Sequence, residues 1–228
     1  DTIYIENEIA THPRTKKILK RFSKATQIKC DRYSEIFNRK SQNFRLQKNN
    51  PALILAKKHK GMVLPIPKQF GIGAKHNYYF SHMLNCIYDC RYCFLQGMFQ
   101  SANYVLFVNY EDFMGAIDET INKLQNKETA TFFSGYDCDS LALESVTGFA
   151  KQFLPFFREL PRALLELRTK SLNTQVLLQT ESFNNNDLMQ NNNSLFVFYD
   201  HKLKIQLRIK TTSILNNQNG IAKEQARA

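Results

Sequence analysis

The stretch Cys86-Ile-Tyr-Asp-Cys90-Arg-Tyr-Cys93 decides how the rest of this chain is interpreted. It holds three cysteines within eight residues. Thiolates are soft ligands that select zinc, copper(I) or iron–sulfur clusters, and a structural zinc site needs four ligands, usually supplied as two separated pairs. Because there is one compact triplet and no second pair, the spacing favours a 4Fe–4S cluster with three irons held by protein and the fourth open. Zinc bound with a distant histidine or cysteine, and unrelated buried thiols, are the alternatives.

Composition indicates a chain that folds as one domain, with or without an extension. Of the 228 residues 43% are hydrophobic, and 18 are Phe, which is enough for a substantial core. No N-terminal stretch has the pattern of a secretory signal, and the longest apolar runs are far shorter than a membrane span. The five cysteines are an odd number, and a reducing cytosol suits both them and an oxygen-sensitive cluster. We therefore expect a cytoplasmic monomer that does not bind membranes.

The positive charge is concentrated in the first third of the chain. The net charge is +11, and residues 11–75 hold 17 Lys and Arg against two acids, Asp31 and Glu35. Such an asymmetry is typical of a protein that binds a polyanion, and DNA or RNA is the most plausible one. A solvated face that keeps the protein soluble is the alternative. We expect residues 1–75 to form a basic N-terminal extension that packs on the folded core.

Periodicity places strands on both sides of the cysteines. Pro51–Ala56 has the pattern of a short buried strand, and Tyr78–Leu84 has that of a buried strand running into the cysteine loop. Thr15–Phe22 has helical spacing with basic residues on one face. The cysteines would then lie just past the C-terminal end of a strand, where parallel α/β barrels build their active sites.

Strands and helices alternate after the cysteine loop. The predicted strands are Tyr104–Val108, Thr129–Phe133 and Ala163–Leu167. One helix follows Asn109 as its N-cap, and its apolar stripe consists of Phe113, Ile117, Ile121 and Leu124. A second helix begins near Asp139 and is ended or kinked near Leu154 by Pro155. This order is typical of a parallel sheet with right-handed crossovers. Beyond it, 195–199 and 202–210 are predicted strands. The alternation in the second predicts one exposed face, unlike a strand of a parallel barrel, which is buried on both faces. Little order is expected from Thr211 on.

Several stretches together resemble one family, the spore photoproduct lyase-like radical S-adenosylmethionine (SAM) proteins. They are Asn43–Lys48, Gly71–Gly73 with His76–His82, Asn85–Gln96, Asp139–Glu144 with Val146–Gly148, and Glu166–Ser171. This resemblance implies a partial (β/α) barrel of radical SAM type, a 4Fe–4S cluster and SAM. It also implies an electron donor such as flavodoxin or ferredoxin. The implied activity is reductive cleavage of SAM to a 5′-deoxyadenosyl radical, used for C–C bond cleavage in DNA photoproduct repair or on a related base.

The same resemblance assigns roles to individual residues. Cys86, Cys90 and Cys93 match the cluster ligands. Lys170 falls where the family places a lysine near the SAM carboxylate, and a cation there has a physical reason, since it pairs with a carboxylate in a dry site. The remaining candidates are Ser134, Gly135 and Ser171 for SAM binding, and Tyr92 and Cys138 for catalysis.

Three departures from the family pattern affect the functional interpretation. The cysteine that returns a hydrogen atom in the founding lyase corresponds by spacing to Tyr136, and Cys138 lies two residues later, either as a displaced donor or as a small buried thiol. A relay tyrosine is replaced by Phe94, which has no phenolic hydrogen. The resemblance also fades near Leu178.

Because the resemblance ends early, we expect the rest of the chain to divide into two parts. The first is a barrel core at 76–180 that is incomplete at its C-terminus. The second is a divergent, Asn-rich, poorly ordered tail at 181–228 that is foreign to the family. A non-catalytic iron–sulfur or zinc module that binds nucleic acid, or an inactive truncated paralogue, is the alternative function.

Overall fold

The chain is described from a computed structural model. It covers residues 2–71, 74–88, 90, 93–125, 127–171 and 175–178, and the backbone of strands at 188–191, 195–200 and 205–210. Within these residues no helix has the length and apolar character needed to cross a bilayer. The expectation about residues from Thr211 on, and the candidate residue Tyr92, lie outside the described part.

The described elements alternate between strands and helices along most of the chain. The strands are β1 (Thr2–Glu6), β2 (Thr26–Cys30), β3 (Leu53–Ala56), β4 (Leu64–Pro65), β5 (His76–Tyr79), β6 (Met83–Leu84), β7 (Tyr104–Phe107), β8 (Ala130–Phe133), β9 (Ala163–Thr169), β10 (Leu188–Asn191), β11 (Leu195–Asp200) and β12 (Ile205–Lys210). The α-helices are α1 (Pro13–Arg21), α2 (Phe44–Asn49), α3 (Leu95–Met98), α4 (Tyr110–Asn122), α5 (Glu144–Thr147), α6 (Phe149–Arg158) and α7 (Gln175–Leu178). Short 3₁₀ turns lie at Asn7–Ile9, Tyr33–Glu35 and Lys68–Phe70.

The strands form two sheets that are both rich in parallel pairs. The first has the order β2-β1-β3-β7-β6 and is parallel except for β6 against β7. The second has the order β10-β11-β12-β9-β8-β5-β4, with a parallel centre from β12 to β5. The predicted α/β class with parallel sheets is therefore confirmed, whereas closure into a partial barrel stays a prediction. Strands on both sides of residue 75 share these sheets, since β3 pairs with β7 and β4 with β5.

The predicted continuous strand Tyr78–Leu84 is wrong, because the chain changes sheets in the middle of it. Phe80 N–H still donates to the carbonyl of Phe133, the last residue of β8, at 3.0 Å. Two residues later the carbonyl of His82 accepts from the N–H of Phe107, the last residue of β7, also at 3.0 Å. The same change of sheet means that β7 is not a neighbour of β8, although we expected one sheet for both.

The helix predicted from about Asp139 also differs from the structure. The Asp139 carboxylate accepts from the N–H groups of Leu141 and Ala142, which makes a turn, and α5 begins only at Glu144. Gly148, at φ +58°, then separates α5 from α6, a backbone conformation that favours glycine. Pro155 lies inside α6, which continues to Arg158, so the helix does not end near Leu154.

The C-terminal strands continue the second sheet. β12 pairs parallel with β9 and antiparallel with β11. We expected the alternating pattern of 202–210 to lie outside the parallel arrangement, and this is wrong, since strand β12 borders β9 directly. The predicted strand at 195–199 is confirmed as β11.

An aromatic cluster forms the centre of the core. Phe80, at the crossing between the sheets, is 1% exposed. Its ring centroid lies 5.3 Å from Phe153, 5.9 Å from Phe149 and 6.2 Å from Phe113. Helix α4 contributes Phe113 to this cluster from its apolar stripe, as predicted. The chain segment that leads to the cysteines is thus anchored on both main helices.

Replacing Phe80 with alanine tests the importance of this anchor. We expect Phe80→Ala to lower the free energy of unfolding by about 3–5 kcal/mol, because it leaves a cavity between packed rings. Urea denaturation measures the change. The matched control is Phe70→Ala, whose side chain is 65% exposed and which should alter stability by about 0.5 kcal/mol at most. Similar small effects for both variants would contradict the packing described here.

Candidate active site at the cysteine loop

A cavity of about 400 Å³ lies where the cysteine loop meets the segments that follow β8 and β9. Cys86, Cys90 and Cys93 all line it, so the structure brings the predicted ligand set together. The loop is closed by a hydrogen bond from Cys93 N–H to the carbonyl of Cys90, at 2.9 Å. Within the described residues no three His, Cys, Asp or Glu side chains converge as ligands of a single metal ion. A 4Fe–4S cube has no such requirement, because each thiolate binds a different iron.

Lys170 is the cation nearest to these sulfurs in the described structure. It follows β9, lines the cavity, and its Nζ donates to Cys90 Sγ at 2.8 Å. Its backbone N–H donates to Asp139 Oδ2 at 2.6 Å. Lys170 therefore lies where sequence analysis expected a charged group of the site.

Cys86 lies in a less polar environment than its position on a loop suggests. Burial raises the pKa of the Cys86 thiol to about 11, and this is partly opposed by hydrogen bonds from the backbone N–H groups of Tyr88 and Asp139 to its sulfur. Metal binding would reverse this preference, because a metal ion deprotonates a coordinating thiol outright. The two N–H groups are then already aimed at the sulfur that would carry the charge.

Gly135 lines the cavity and has no room for a side chain. A Cβ there would lie 2.7 Å from Ser140 Oγ and 2.8 Å from Arg168 Cβ. The predicted cofactor-binding residue Ser134 is different, since its buried Oγ contacts Ser140 Oγ and donates to the carbonyl of Glu166. Gly135 and Lys170 thus belong to the cavity wall, whereas Ser134 does not.

Ser171, the remaining predicted cofactor-binding residue, is also outside the cavity wall. It is buried, its N–H donates to Thr169 Oγ1 at 2.9 Å, and its side chain hydrogen-bonds Tyr88. These contacts join the end of β9 to the cysteine loop. A direct role of Ser134 and Ser171 with a cofactor stays a prediction, and their contacts in this structure are internal ones.

Cys138 is a buried thiol in the wall of the cavity. It is 4% exposed, and its Sγ lies 3.8 Å from the Ser134 carbonyl and 4.0 Å from His82 Nδ1. Burial raises the pKa of Cys138 well above its ordinary value. Burial also lowers the pKa of His82 to about 3, so this histidine is neutral and cannot stabilise a thiolate. Cys138 is therefore held as S–H.

Tyr136 adds an aromatic wall to the same cavity. Its ring centroid lies 4.4 Å from that of Tyr79 and 5.9 Å from that of Phe94. Phe94 is 60% exposed and also lines the cavity. Sequence analysis missed the part that Asp139 and Arg168 play in this wall. Asp139 lies within one of the family-like stretches, but nothing in its neighbours along the chain shows which groups it bonds.

A second cavity, of about 640 Å³, lies between α1 and the start of α4 and has a different character. Two ion pairs lie in its wall: Arg14 contacts Glu111 at 3.1 Å and Lys57 contacts Glu8 at 2.6 Å. Its lining residues include none of the three cysteines of the predicted ligand set, so we place the candidate site at the cysteine loop.

The fold resembles that of several solved structures. A spore photoproduct lyase double mutant with bound AdoMet and dinucleoside spore photoproduct matches with a TM-score of 0.66 and 18% identity, over 78% of this chain and 52% of that chain. Spore photoproduct lyase complexed with the dinucleoside photoproduct gives 0.65 and 17% over the same shares. A tyrosine-to-phenylalanine mutant gives 0.64 and 18%, again over the same shares. The chain spans about half the length of these proteins, and at this identity the likeness shows a shared fold.

Comparison of the sequence with models of protein families shows which family the chain belongs to. The spore photoproduct lyase family model matches residues 1–221, and this chain is a member of that family. The match continues well past Leu178, so the expectation that the resemblance fades there, with a tail foreign to the family, is wrong. No curated protein matches in a search of full sequences.

The buried His82 gives a stability test that depends on pH. The unfolded chain binds a proton at His82 below about pH 6.5, whereas the folded protein, with the His82 pKa lowered to about 3, does not. Falling pH therefore favours unfolding, by up to about 1.4 kcal/mol per pH unit from this group.

His82→Phe removes this term and keeps a ring stacked on Phe149, 3.9 Å away in the wild type. Urea unfolding at pH 7 and pH 5 should show the wild type losing about 2 kcal/mol more than the variant between the two pH values. Titrating acids elsewhere are common to both proteins and cancel in this comparison. Parallel pH profiles would contradict a neutral His82.

Proposed function

We propose that this chain is a radical SAM lyase that cleaves a C–C bond in a DNA photoproduct or a related base substrate. The observation that carries the proposal is the meeting of Cys86, Cys90 and Cys93 with Lys170 in one cavity. The family membership supports it, and so does the solved relative that binds AdoMet together with a dinucleoside photoproduct.

The donor set fits a 4Fe–4S cluster with SAM. Three thiols from one loop supply three corners of a cube and leave one iron free, and the Lys170 ammonium lies against one of these sulfurs. When bound, the cluster and SAM supply a 5′-deoxyadenosyl radical, with the electron coming from a donor such as flavodoxin or ferredoxin. The protein's own part is to hold, orient and shield these groups.

Lys170 is the proposed partner of the SAM carboxylate. Its Nζ reaches the cavity next to Cys90, and a charge-assisted hydrogen bond from it would orient an amino acid group there. Gly135 lets the segment after β8 pack closely against Ser140 and Arg168, because a Cβ at this position would collide with both. Tyr136 and Phe94 add apolar surface to the wall of the same cavity.

Cys138 is the proposed hydrogen atom donor to the product radical. A donor of this kind must carry its hydrogen, and the raised pKa of Cys138 beside a neutral His82 keeps it as S–H. In the step, the S–H bond breaks, a C–H bond forms and the unpaired electron remains on sulfur. Tyr92 is the proposed next donor, giving its phenolic hydrogen to sulfur, and an electron from the flavodoxin or ferredoxin with a proton restores the phenol.

The basic N-terminal extension is the proposed contact with DNA. Lys16, Lys17 and Lys20 on α1, and Lys24 and Lys29 around β2, are all exposed. Exposed lysines displace counterions from phosphates, so binding of this kind is sequence-independent and weakens with salt. Base recognition would then be confined to the cavity beside the cysteines.

The test of the proposed function begins with anaerobic loading of the protein with iron and sulfide. After reduction in the presence of SAM, we expect release of 5′-deoxyadenosine and, with ultraviolet-irradiated DNA, loss of thymine dimers. Cys86→Ala, Cys90→Ala and Cys93→Ala should each lose most of the iron and nearly all SAM cleavage, because three thiolates are needed to hold the cube.

Cys30→Ala is the matched control, since Cys30 ends strand β2 and lies outside the cavity. Its iron content and SAM cleavage should equal those of the wild type. Binding of one zinc ion in place of iron, or salt-dependent DNA binding without 5′-deoxyadenosine, would contradict the proposal and favour a non-catalytic module.

Cys138→Ala tests the hydrogen donor separately from SAM cleavage. The ratio of repaired thymine to 5′-deoxyadenosine should fall about tenfold or more, a change of about 1.4 kcal/mol or more in the barrier of the step, because the product radical loses its donor. Cys138→Ser is a matched variant that keeps size and burial but has a much stronger bond to hydrogen, and it should fall as far. An unchanged ratio in both variants would make Cys138 a packing residue and exclude it as the donor.

A further inference from the structure

We propose that Asp139 is the positioning residue that aims Lys170 into the cavity, a role that rests on the proposed function. Asp139 lies in the segment after β8, is 9% exposed and forms part of the cavity wall. It links two parts of the site, because its backbone N–H bonds the Cys86 sulfur while its carboxylate holds the backbone of Lys170.

The Asp139 carboxylate accepts two sets of hydrogen bonds, one within its own turn and one from the end of β9. Oδ1 accepts from Leu141 N–H at 3.0 Å and Ala142 N–H at 2.8 Å, which closes the turn that follows β8. Oδ1 also accepts from Thr169 Oγ1 at 2.7 Å, and Oδ2 accepts from Lys170 N–H at 2.6 Å. These last two bonds are made with the final residue of β9 and with the residue after it.

The hydrogen bonds from Thr169 and Lys170 to Asp139 extend the contact between β8 and β9 beyond their paired residues. The ladder ends with Phe133 opposite Glu166. Past it, Ser140 N–H donates to the Arg168 carbonyl at 2.8 Å, and Arg168 N–H donates to Ser140 Oγ at 2.9 Å. Asp139 makes the next link, at Lys170. Where the strands no longer fix the backbone, this link fixes the direction from which the Lys170 side chain reaches Cys90.

The variant Asp139→Asn removes only the hydrogen bond to Lys170 N–H. The asparagine oxygen can still accept from Leu141, Ala142 and Thr169, but its NH₂ group would face the Lys170 N–H, and two donors cannot bond. Ser140→Ala is the matched control, because it removes the neighbouring link at Arg168 and leaves Lys170 in place. A merely structural role would make both variants alike.

The first measurement uses the metal-free protein, where Lys170 already contacts Cys90. Acetic anhydride labelling of Lys170, followed by mass spectrometry with the exposed Lys16 as internal reference, should be several-fold faster in Asp139→Asn than in the wild type or in Ser140→Ala. Equal labelling in all three proteins would overturn the proposal, and so would an equal increase in both variants.

The second measurement uses the iron-loaded, reduced protein. The dissociation constant of SAM should rise about tenfold or more in Asp139→Asn, the scale of a lost charge-assisted hydrogen bond, with unchanged iron content. Ser140→Ala should stay within about twofold of the wild type on the same scale. An unchanged constant in Asp139→Asn would overturn the proposal.

Two further outcomes separate a failure of this proposal from a failure of the proposed function or of the variant to fold. A wild-type protein that binds no SAM would contradict the proposed function, while the labelling rates still decide whether Asp139 positions Lys170. Should Asp139→Asn fail to fold by circular dichroism, the wild type decides through hydrogen exchange. The Lys170 amide should then exchange as slowly as those inside β9, and exchange as fast as in an exposed loop would overturn the proposal.

Discussion

The parallel pairing of β8 with β9 is the constraint on which the site depends. It runs in register from Ala130 opposite Ala163 to Phe133 opposite Glu166. Parallel strands end at the same edge of a sheet, so the segments that follow them emerge side by side. Gly135–Asp139 and Arg168–Lys170 are the segments concerned, and the cysteine loop lies against both. Without this register, Lys170 would have no fixed position relative to the sulfurs.

A second constraint is the buried aromatic cluster around Phe80. The chain crosses from one sheet to the other immediately after this residue, and the cysteine loop begins six residues later. Packing of Phe80 against rings from α4 and α6 fixes where that crossing occurs. The loop can then be free of regular structure and still present its thiols in one place, which is the usual relation between a rigid scaffold and a functional loop.

Sequence patterns predicted the local parts of this arrangement well and the long-range parts poorly. The cysteine triplet, the strands that became β3, β7, β8 and β9, and the buried face of α4 all follow from residue spacing. The crossing at Ser81 and His82 does not, because it depends on which distant strand accepts each hydrogen bond. The same holds for β12, whose alternating pattern gave no sign that it pairs with β9. Among the site residues, Lys170 was found through its family-like stretch, whereas the contacts of Asp139 exist only in the folded chain.

The central claim is that Cys86, Cys90 and Cys93 hold an iron cube whose open corner binds SAM next to Lys170. The most direct measurement is electron–nuclear double resonance on the reduced, iron-loaded protein with SAM carrying magnetic isotopes at its amino nitrogen and its carboxylate. The account predicts hyperfine coupling from both groups to the cluster, as direct ligation to one iron requires. A cluster that forms but shows no coupling to either group, or a protein that takes up no iron, would contradict it.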